Sequence, residues 1–349
     1  MALPGLLIRV DGNETIGMGH VMRCLYLADE LRTRGSAAIE FVTKQSAASV
    51  GQIEGAGYRA HVLPADIEWA DEIVAVATWI GSSRVTAVIT DLRWPEAGYL
   101  SRLKSTGALV VVIDEWGDKK IVADVLTNGT AVSAWHRYTT EEPVVSYLGV
   151  RYALLHPSFA DAHRRERQIP AVGRNVLIAL GGDDPYRLTV KVMKSLESVV
   201  GSLSITSIIG PAFIDEADIR AVAAVSRHRY TVLKNVSNMA ELMCAADVAL
   251  VGGGLTALET ACTGTPALIV CEVDHQVDTA EALEAAGAAQ SLGLGTETLP
   301  ATIADRVAAL LSDQSARSGL SRAGKTLVDG GGTQRIADVI DAALRSRLS

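Results

Sequence analysis

The chain has little from which to build a disulfide scaffold, an aromatic-rich sandwich or a basic binding face. Of its 349 residues only 5% are aromatic, and the four cysteines, Cys24, Cys244, Cys262 and Cys271, have no Cys-x-x-Cys spacing and lie in apolar segments. Buried thiols acting as small hydrophobes are therefore expected, with no structural zinc, no other metal site and no disulfide. Basic residues are the minority, 32 against 40 acidic, and a net charge of −8 argues against a broad nucleic-acid or anionic-membrane surface. Any anion must be held locally. No apolar run reaches the roughly 18 residues that span a bilayer, and the N-terminus lacks a basic stretch leading into a hydrophobic one, so a soluble cytoplasmic protein is expected. A P-loop and a Gly-x-Ser-x-Gly elbow are both missing, and Gly17-Met18-Gly19 followed by His20, Val21 and Met22 is not a dinucleotide fingerprint.

What the chain has is a repeated alternation of short β-branched runs and amphipathic segments. Residues 6–10, 39–43, 59–63, 85–91 and 109–114 read as strands with helices between them, which predicts a parallel, doubly wound sheet. Residues 131–149 are irregular, and residues 156–173 turn polar and charged before a second series opens at 176–180. Further strands are expected at 204–209, 230–233, 248–251 and 267–270. The length suits two domains, divided at 160/161, each able to bury a core. The final helix, 333–348, is expected to pack back on the body, with Arg345 and Arg347 as solvated end charges.

Ligands of such sheets bind beyond the carboxyl ends of the strands, where Asp11, Asp91 and Asp114 stand. Each aspartate also reads as a cap or turn residue. Arg93 and Trp94 beside Asp91 either line a cleft or cover a loop. The strand-to-helix crossing at Gly17, Gly19 and His20 is polar and glycine-containing. In the second half, Gly252-Gly253-Gly254-Leu255-Thr256 lies between a strand and a helix, where backbone N–H groups and the helix dipole suit a diphosphate. Glu259, one turn into that helix, is placed to accept hydrogen bonds from ribose hydroxyls, or it merely complements the dipole. Asp274-His275-Gln276 opens another helix at the same rim, as caps or as sugar contacts.

Taken in order, Gly17-x-Gly19-His20-x-x-Arg23-Cys24-Leu25, Ala179-Leu180-Gly181-Gly182-x-Asp184-Pro185, Gly253-Gly254-x-Thr256-x-x-Glu259, Gly264-x-Pro266 and Asp329-Gly330 with Arg335-Ile336 span nearly the whole chain. This set resembles the pseudaminic acid pathway hydrolases, which remove UDP from UDP-2,4-diacetamido-2,4,6-trideoxy-β-L-altropyranose, and the spore-coat polysaccharide proteins of the SpsG type. The C-terminal half is also similar to MurG-like glycosyltransferases. The resemblance implies an α/β GT-B fold, two Rossmann-like domains facing a central cleft, with the nucleotide on the C-terminal one. It makes His20 the catalytic base and Glu259 a nucleotide contact. It adds Arg23, Gly181, Gly182, Asp184, Gly253, Gly254, Leu255, Thr256, His275 and Gln276 to the residues expected around the nucleotide sugar.

The chain departs from that family's usual pattern at four places. Asp114-Glu115 stands for two aspartates, Arg187 for asparagine, His275-Gln276 for Asn-Gln, and His156-Pro157-Ser158-Phe159 for Arg-Pro-Glu-Phe. Most of these positions would face the sugar or the diphosphate, which leaves the sugar open.

A neutral imidazole with a pKa near about 6.5 can take the proton of an attacking water. The helix N-terminus is expected to keep His20 neutral, and Asp11 to orient it or bind a sugar hydroxyl. N–H donors would stabilise departing UDP without a metal or other cofactor. The expected function is hydrolysis of a UDP-activated amino- or deoxy-sugar, with transfer to an acceptor and binding without turnover as alternatives. The expected partner is a small-molecule nucleotide sugar, and a monomer is favoured.

Overall fold

A computed structural model describes residues 3–348 apart from 14–15, 83–84, 94, 96–97, 141–142, 183, 211–212 and 214–215. Trp94 and Asp183 therefore lie outside the described residues. The chain forms two compact units, one comprising the residues up to His156 together with those from Gly331 on, the other Pro157–Gly330.

The first unit runs β1 (Gly5–Val10), α1 (Gly19–Thr33), β2 (Ala38–Lys44), α2 (Ala47–Gly55), β3 (Arg59–Leu63), α3 (Trp69–Ser82), β4 (Val85–Asp91), α4 (Tyr99–Ser105), β5 (Leu109–Ile113), β6 (Lys119–Ile121), β7 (Val125–Asn128), β8 (Tyr138–Thr140) and β9 (Val145–Leu148). Seven strands pair in parallel in the order β3-β2-β1-β4-β5-β7-β9, and β6 and β8 form a separate parallel pair. The stretch read from sequence as irregular thus carries β8 and β9. They are short and half-exposed, so they lack the buried apolar run that marks a central strand.

β1 and β5 are buried along almost their whole length, as strands covered on both faces must be. Side chains alternate between two cores: Leu6, Ile8, Val10, Ala87, Ile89, Val111 and Ile113 pack with α1, while Leu7, Val88, Val110 and Val112 lie in the core that also takes Ile80 of α3 and Leu103 of α4. α1 presents Val21, Cys24, Leu25, Ala28 and Leu31 to the first of these at helical spacing.

The second unit runs α5 (Pro157–Arg164), β10 (Asn175–Ala179), α6 (Leu188–Leu196), β11 (Ser204–Ile209), α7 (Glu216–Val225), β12 (Arg229–Lys234), α8 (Met239–Ala245), β13 (Val248–Val251), α9 (Leu255–Thr263), β14 (Ala267–Cys271), α10 (Asp274–Ala285), β15 (Gln290–Leu294), α11 (Pro300–Ser312) and α12 (Gln314–Leu327). Its six strands are parallel in the order β12-β11-β10-β13-β14-β15. The last helix, α13 (Gly332–Leu348), belongs to the first unit, where Ile336, Ala337, Ile340 and Leu344 are buried in the α1 core. Among the described residues no helix is long and apolar enough to cross a membrane.

Candidate functional site

In the first sheet the strand order reverses at β1 and β4, which pair directly with Val10 opposite Asp91. Such a reversal opens a crevice at the carboxyl ends of the two strands. His20 enters it from the first turn of α1, and the two-residue period of the strands decides which acids it meets.

Asp11 shares the face of Leu7 and Arg9, away from α1. Arg9 is fully buried; its Nη1 and Nη2 donate to the two Asp11 oxygens at 2.5 and 2.8 Å, and its Nε and Nη2 donate to Glu72 on α3, both at 2.9 Å. Tyr99 Oη donates to Glu72 at 2.8 Å, and the Lys44 amide donates to Asp11 at 2.8 Å. Asp11 therefore does not orient His20, as the sequence suggested; its carboxylate holds Arg9 and the end of β2.

Asp91 shares the face of Ala87 and Ile89 and takes the place expected of Asp11. Its Oδ1 lies 2.7 Å from His20 Nδ1. Arg23, almost one turn on in α1, donates from Nε to Oδ2 at 2.5 Å and from Nη2 to Oδ1 at 2.6 Å, and the Cys24 thiol donates to Oδ2 at 3.6 Å. Arg23 Nη1 also pairs with Glu115. Because an ionised carboxylate only accepts, the 2.7 Å contact puts the proton of the neutral imidazole on Nδ1 and leaves the Nε2 lone pair free. The approach of Arg23 Nη2 to the same Nδ1, at 2.9 Å, is then a crowded contact and not a bond.

Burial pulls the Asp91 carboxyl up, but Arg23 and His20 outweigh it and hold the group well below the usual carboxylate range. Burial likewise works against an imidazolium at His20, and Arg23 adds to that. The Asp91 and Glu115 charges prevail and raise the His20 pKa above its ordinary 6.5. The α1 N-terminus thus does not set the direction of the shift, because a full charge at 2.7 Å outweighs the partial charge of a helix end.

Asp114 is turned to the other face, that of Val110 and Val112. Its Oδ2 accepts from the amides of Trp116 and Gly117 and from Tyr138 Oη, and its Oδ1 pairs with Lys119 at 2.5 Å. The turn reading is the one the geometry matches; the next residue, Glu115, is the one that reaches the His20 side. Gly17, at φ 75°, bridges to Asn13 through its amide, and Gly19 is the exposed first residue of α1.

In the second unit the loops after β10, β13 and β14 adjoin. Asp184, expected around the nucleotide sugar, caps α6, its two oxygens accepting from the Leu188 and Thr189 amides at 2.7 Å each. Gly181 and Gly182 form the crossing before it. A Cβ on Gly252 would lie 2.6 Å from the Leu180 carbonyl oxygen, and one on Gly253 would lie 2.6 Å from Gln276 Cβ. Gln276 Oε1 accepts from the Gly253 amide at 3.2 Å and from the Glu272 amide at 2.9 Å, tying the two loops together. Gln276 is thus a staple, and the Gly253 N–H is already occupied. His275 sits beside it in the first turn of α10.

The amides of Gly254, Leu255 and Thr256 begin α9, which has no side-chain cap, and around Gly254 there is open space. First-turn amides lack intrahelical partners, so this end is suited to an anion. Glu259 follows, 7% exposed; among the described residues its side chain has no hydrogen bond or ion pair, and burial raises its pKa to about 7. A buried carboxylate without a partner is costly unless a ligand supplies one.

No family model matches the chain. Over 337 residues it is 30% identical to the spore coat polysaccharide biosynthesis protein SpsG of Bacillus subtilis (strain 168), covering 95% of this chain and 96% of that protein. Among solved structures it is similar to Acinetobacter baumannii MurG (TM-score 0.72, 16% identity, 97% of this chain and 99% of that one). It is also similar to the spinosyn rhamnosyltransferase SpnG complexed with thymidine diphosphate (TM-score 0.62, 14% identity, 98% and 100%). At these identities the two structures speak for the fold, which is that of the GT-B glycosyltransferases.

Proposed function

The chain belongs to the family of the spore coat polysaccharide biosynthesis protein SpsG, and from that premise we propose that it hydrolyses a UDP-activated amino- or deoxy-sugar at the anomeric carbon. The observation that carries the proposal is the 2.7 Å contact between His20 Nδ1 and Asp91, which leaves Nε2 as an oriented base at a sheet reversal. His20 takes the proton of the attacking water, and Asp91 stabilises the imidazolium that forms. The α9 amides carry the charge of the leaving diphosphate, and Glu259 accepts from the ribose hydroxyls. The thymidine diphosphate bound by the rhamnosyltransferase supports a nucleoside diphosphate here.

Transfer to an acceptor is the second reading, favoured by the same glycosyltransferase neighbours. The test is release of free nucleotide from a panel of UDP-sugars with and without acceptors. Hydrolysis predicts release without an acceptor, and His20→Ala should lower it at least about a hundredfold with UDP binding retained. A His20→Ala protein with near-wild-type turnover would sink the role given to His20.

A further inference from the structure

Glu115 stands beside the nitrogen that performs the chemistry and has no part in the reaction as drawn so far. It follows Asp114 at the end of β5. Its Oε1 pairs with Arg23, while its Oε2 lies 3.8 Å from His20 Nε2. The Glu115 side chain is 32% exposed and that of His20 14%, so both side chains keep contact with solvent. A separation of 3.8 Å is too long for a direct hydrogen bond, yet one oxygen atom set about 2 Å to the side of the line joining them lies about 2.8 Å from each.

Both atoms that flank this position are acceptors. Nε2 holds a lone pair because the proton is on Nδ1, and an ionised carboxylate offers nothing else. A nucleophile seated there with both contacts satisfied needs two hydrogens on the same atom. Water has two. The hydroxyl of an acceptor sugar has one, and its lone pair would be pressed against whichever of Nε2 and Oε2 it failed to reach.

We infer that Glu115 is a second hydrogen-bond acceptor for the nucleophile, and that His20 and Glu115 together select water over an alcohol. This rests on the hydrolysis reading above and deepens it by assigning what decides between water and an acceptor. In the step, the water oxygen bonds to the anomeric carbon as the bond from that carbon to the diphosphate oxygen breaks, and the electron pair departs with the nucleotide. One water proton moves to Nε2. The other remains on the new sugar hydroxyl, donated to Glu115. Arg23 holds both acidic partners of His20, Asp91 through Nε and Nη2 and Glu115 through Nη1, which keeps the two acceptors at a set spacing.

The test sets methanol against water in the reaction of the full chain. The probes are UDP-2,4-diacetamido-2,4,6-trideoxy-β-L-altropyranose and UDP-N-acetylglucosamine, and the readout is the ratio of methyl glycoside to free sugar. That ratio is read only from molecules that turn over, so partial misfolding does not alter it. The wild type is expected to give mainly free sugar. Glu115→Ala and Glu115→Gln are expected to raise the methanol fraction about tenfold or more and to lower kcat, with KM within about twofold. Where both variants lose all turnover, Glu115→Asp decides: recovery with the wild-type ratio supports the role, and no recovery overturns it. An unchanged ratio in variants that still release nucleotide overturns the role of Glu115 and leaves hydrolysis standing. A wild type that releases no nucleotide from either probe without an acceptor overturns both.

Discussion

His20 Nδ1 lies 2.7 Å from Asp91 Oδ1, and the two residues come from α1 and from the end of β4, 71 positions apart. The pair sits where β1 and β4 separate the two halves of the first sheet, and Arg23 fixes the carboxylate through both of its oxygens. One carboxylate thereby sets the tautomer, the orientation and the charge preference of the proposed base.

The sign of the pH effect follows. Neutral His20 is the working form, and its pKa is raised above 6.5 against burial by Asp91 on β4 and by Glu115 beyond β5, with Arg23 of α1 opposing them. Activity should therefore rise with pH through a point above 6.5. Asp91→Asn removes the main stabilising charge, so the acidic limb of the kcat/KM profile should move to lower pH while the plateau falls by about a hundredfold or more. An unmoved limb would refute the coupling.

Glu259 predicts a pH-dependent affinity. In the free protein its carboxyl is protonated below about 7 because it is buried, and hydroxyl donors favour the ionised form. Binding of UDP-N-acetylglucosamine, followed by calorimetry, should tighten from pH 6 to pH 8. Glu259→Gln should abolish that slope.

The same residue has the opposite effect on stability. A carboxyl whose folded pKa is raised keeps full stability below its unfolded value of 4.5 and loses it as pH rises through about 7, since the unfolded chain releases its proton first. At pH 8 the free Glu259→Gln protein should be more stable than wild type by up to about 3 kcal/mol in urea unfolding. Equal stability at pH 8 would mean that the carboxylate is not buried without a partner.

Glu72→Ala leaves the buried Arg9 guanidinium with Asp11 as its remaining carboxylate. Removal of one partner of a buried charge typically costs about 3–5 kcal/mol, and the lower end applies because Asp11 keeps its hold. The urea midpoint should fall accordingly with the m-value unchanged.

Gly253→Ala drives a Cβ to within 2.6 Å of Gln276 Cβ and 2.7 Å of its carbonyl oxygen. The staple must shift, at about 1–3 kcal/mol, and UDP binding should weaken with it. Gly254→Ala meets open space and should cost much less. Thermal shifts with and without UDP distinguish the two. Equal effects would show that the Gln276 staple does not shape the loop.

Much of this was legible in the chain. Apolar runs such as 109–113 and 248–251 mark buried strands wherever they occur, because a strand covered on both faces has no polar positions to spare. Their alternation with amphipathic segments predicts two doubly wound units, and the polar crossing at Gly17–His20 and the glycine run before Glu259 mark the rims where the candidate site residues stand. β9 was not legible, since an edge strand half-exposed along its length has no such signature.

The sequence alone determined the fold class, the crossings between strand and helix, and the candidacy of His20 and Glu259, all of which follow from local periodicity and residue chemistry. Only the tertiary structure decided which acid serves His20. Asp11 and Asp114 turn away while Asp91 and Glu115 turn toward it, because side chains alternate along each strand and strand order decides which ends become neighbours. It also decided that Asp184 and Gln276 are spent on backbone amides, since those amides come within reach only once the loops have packed.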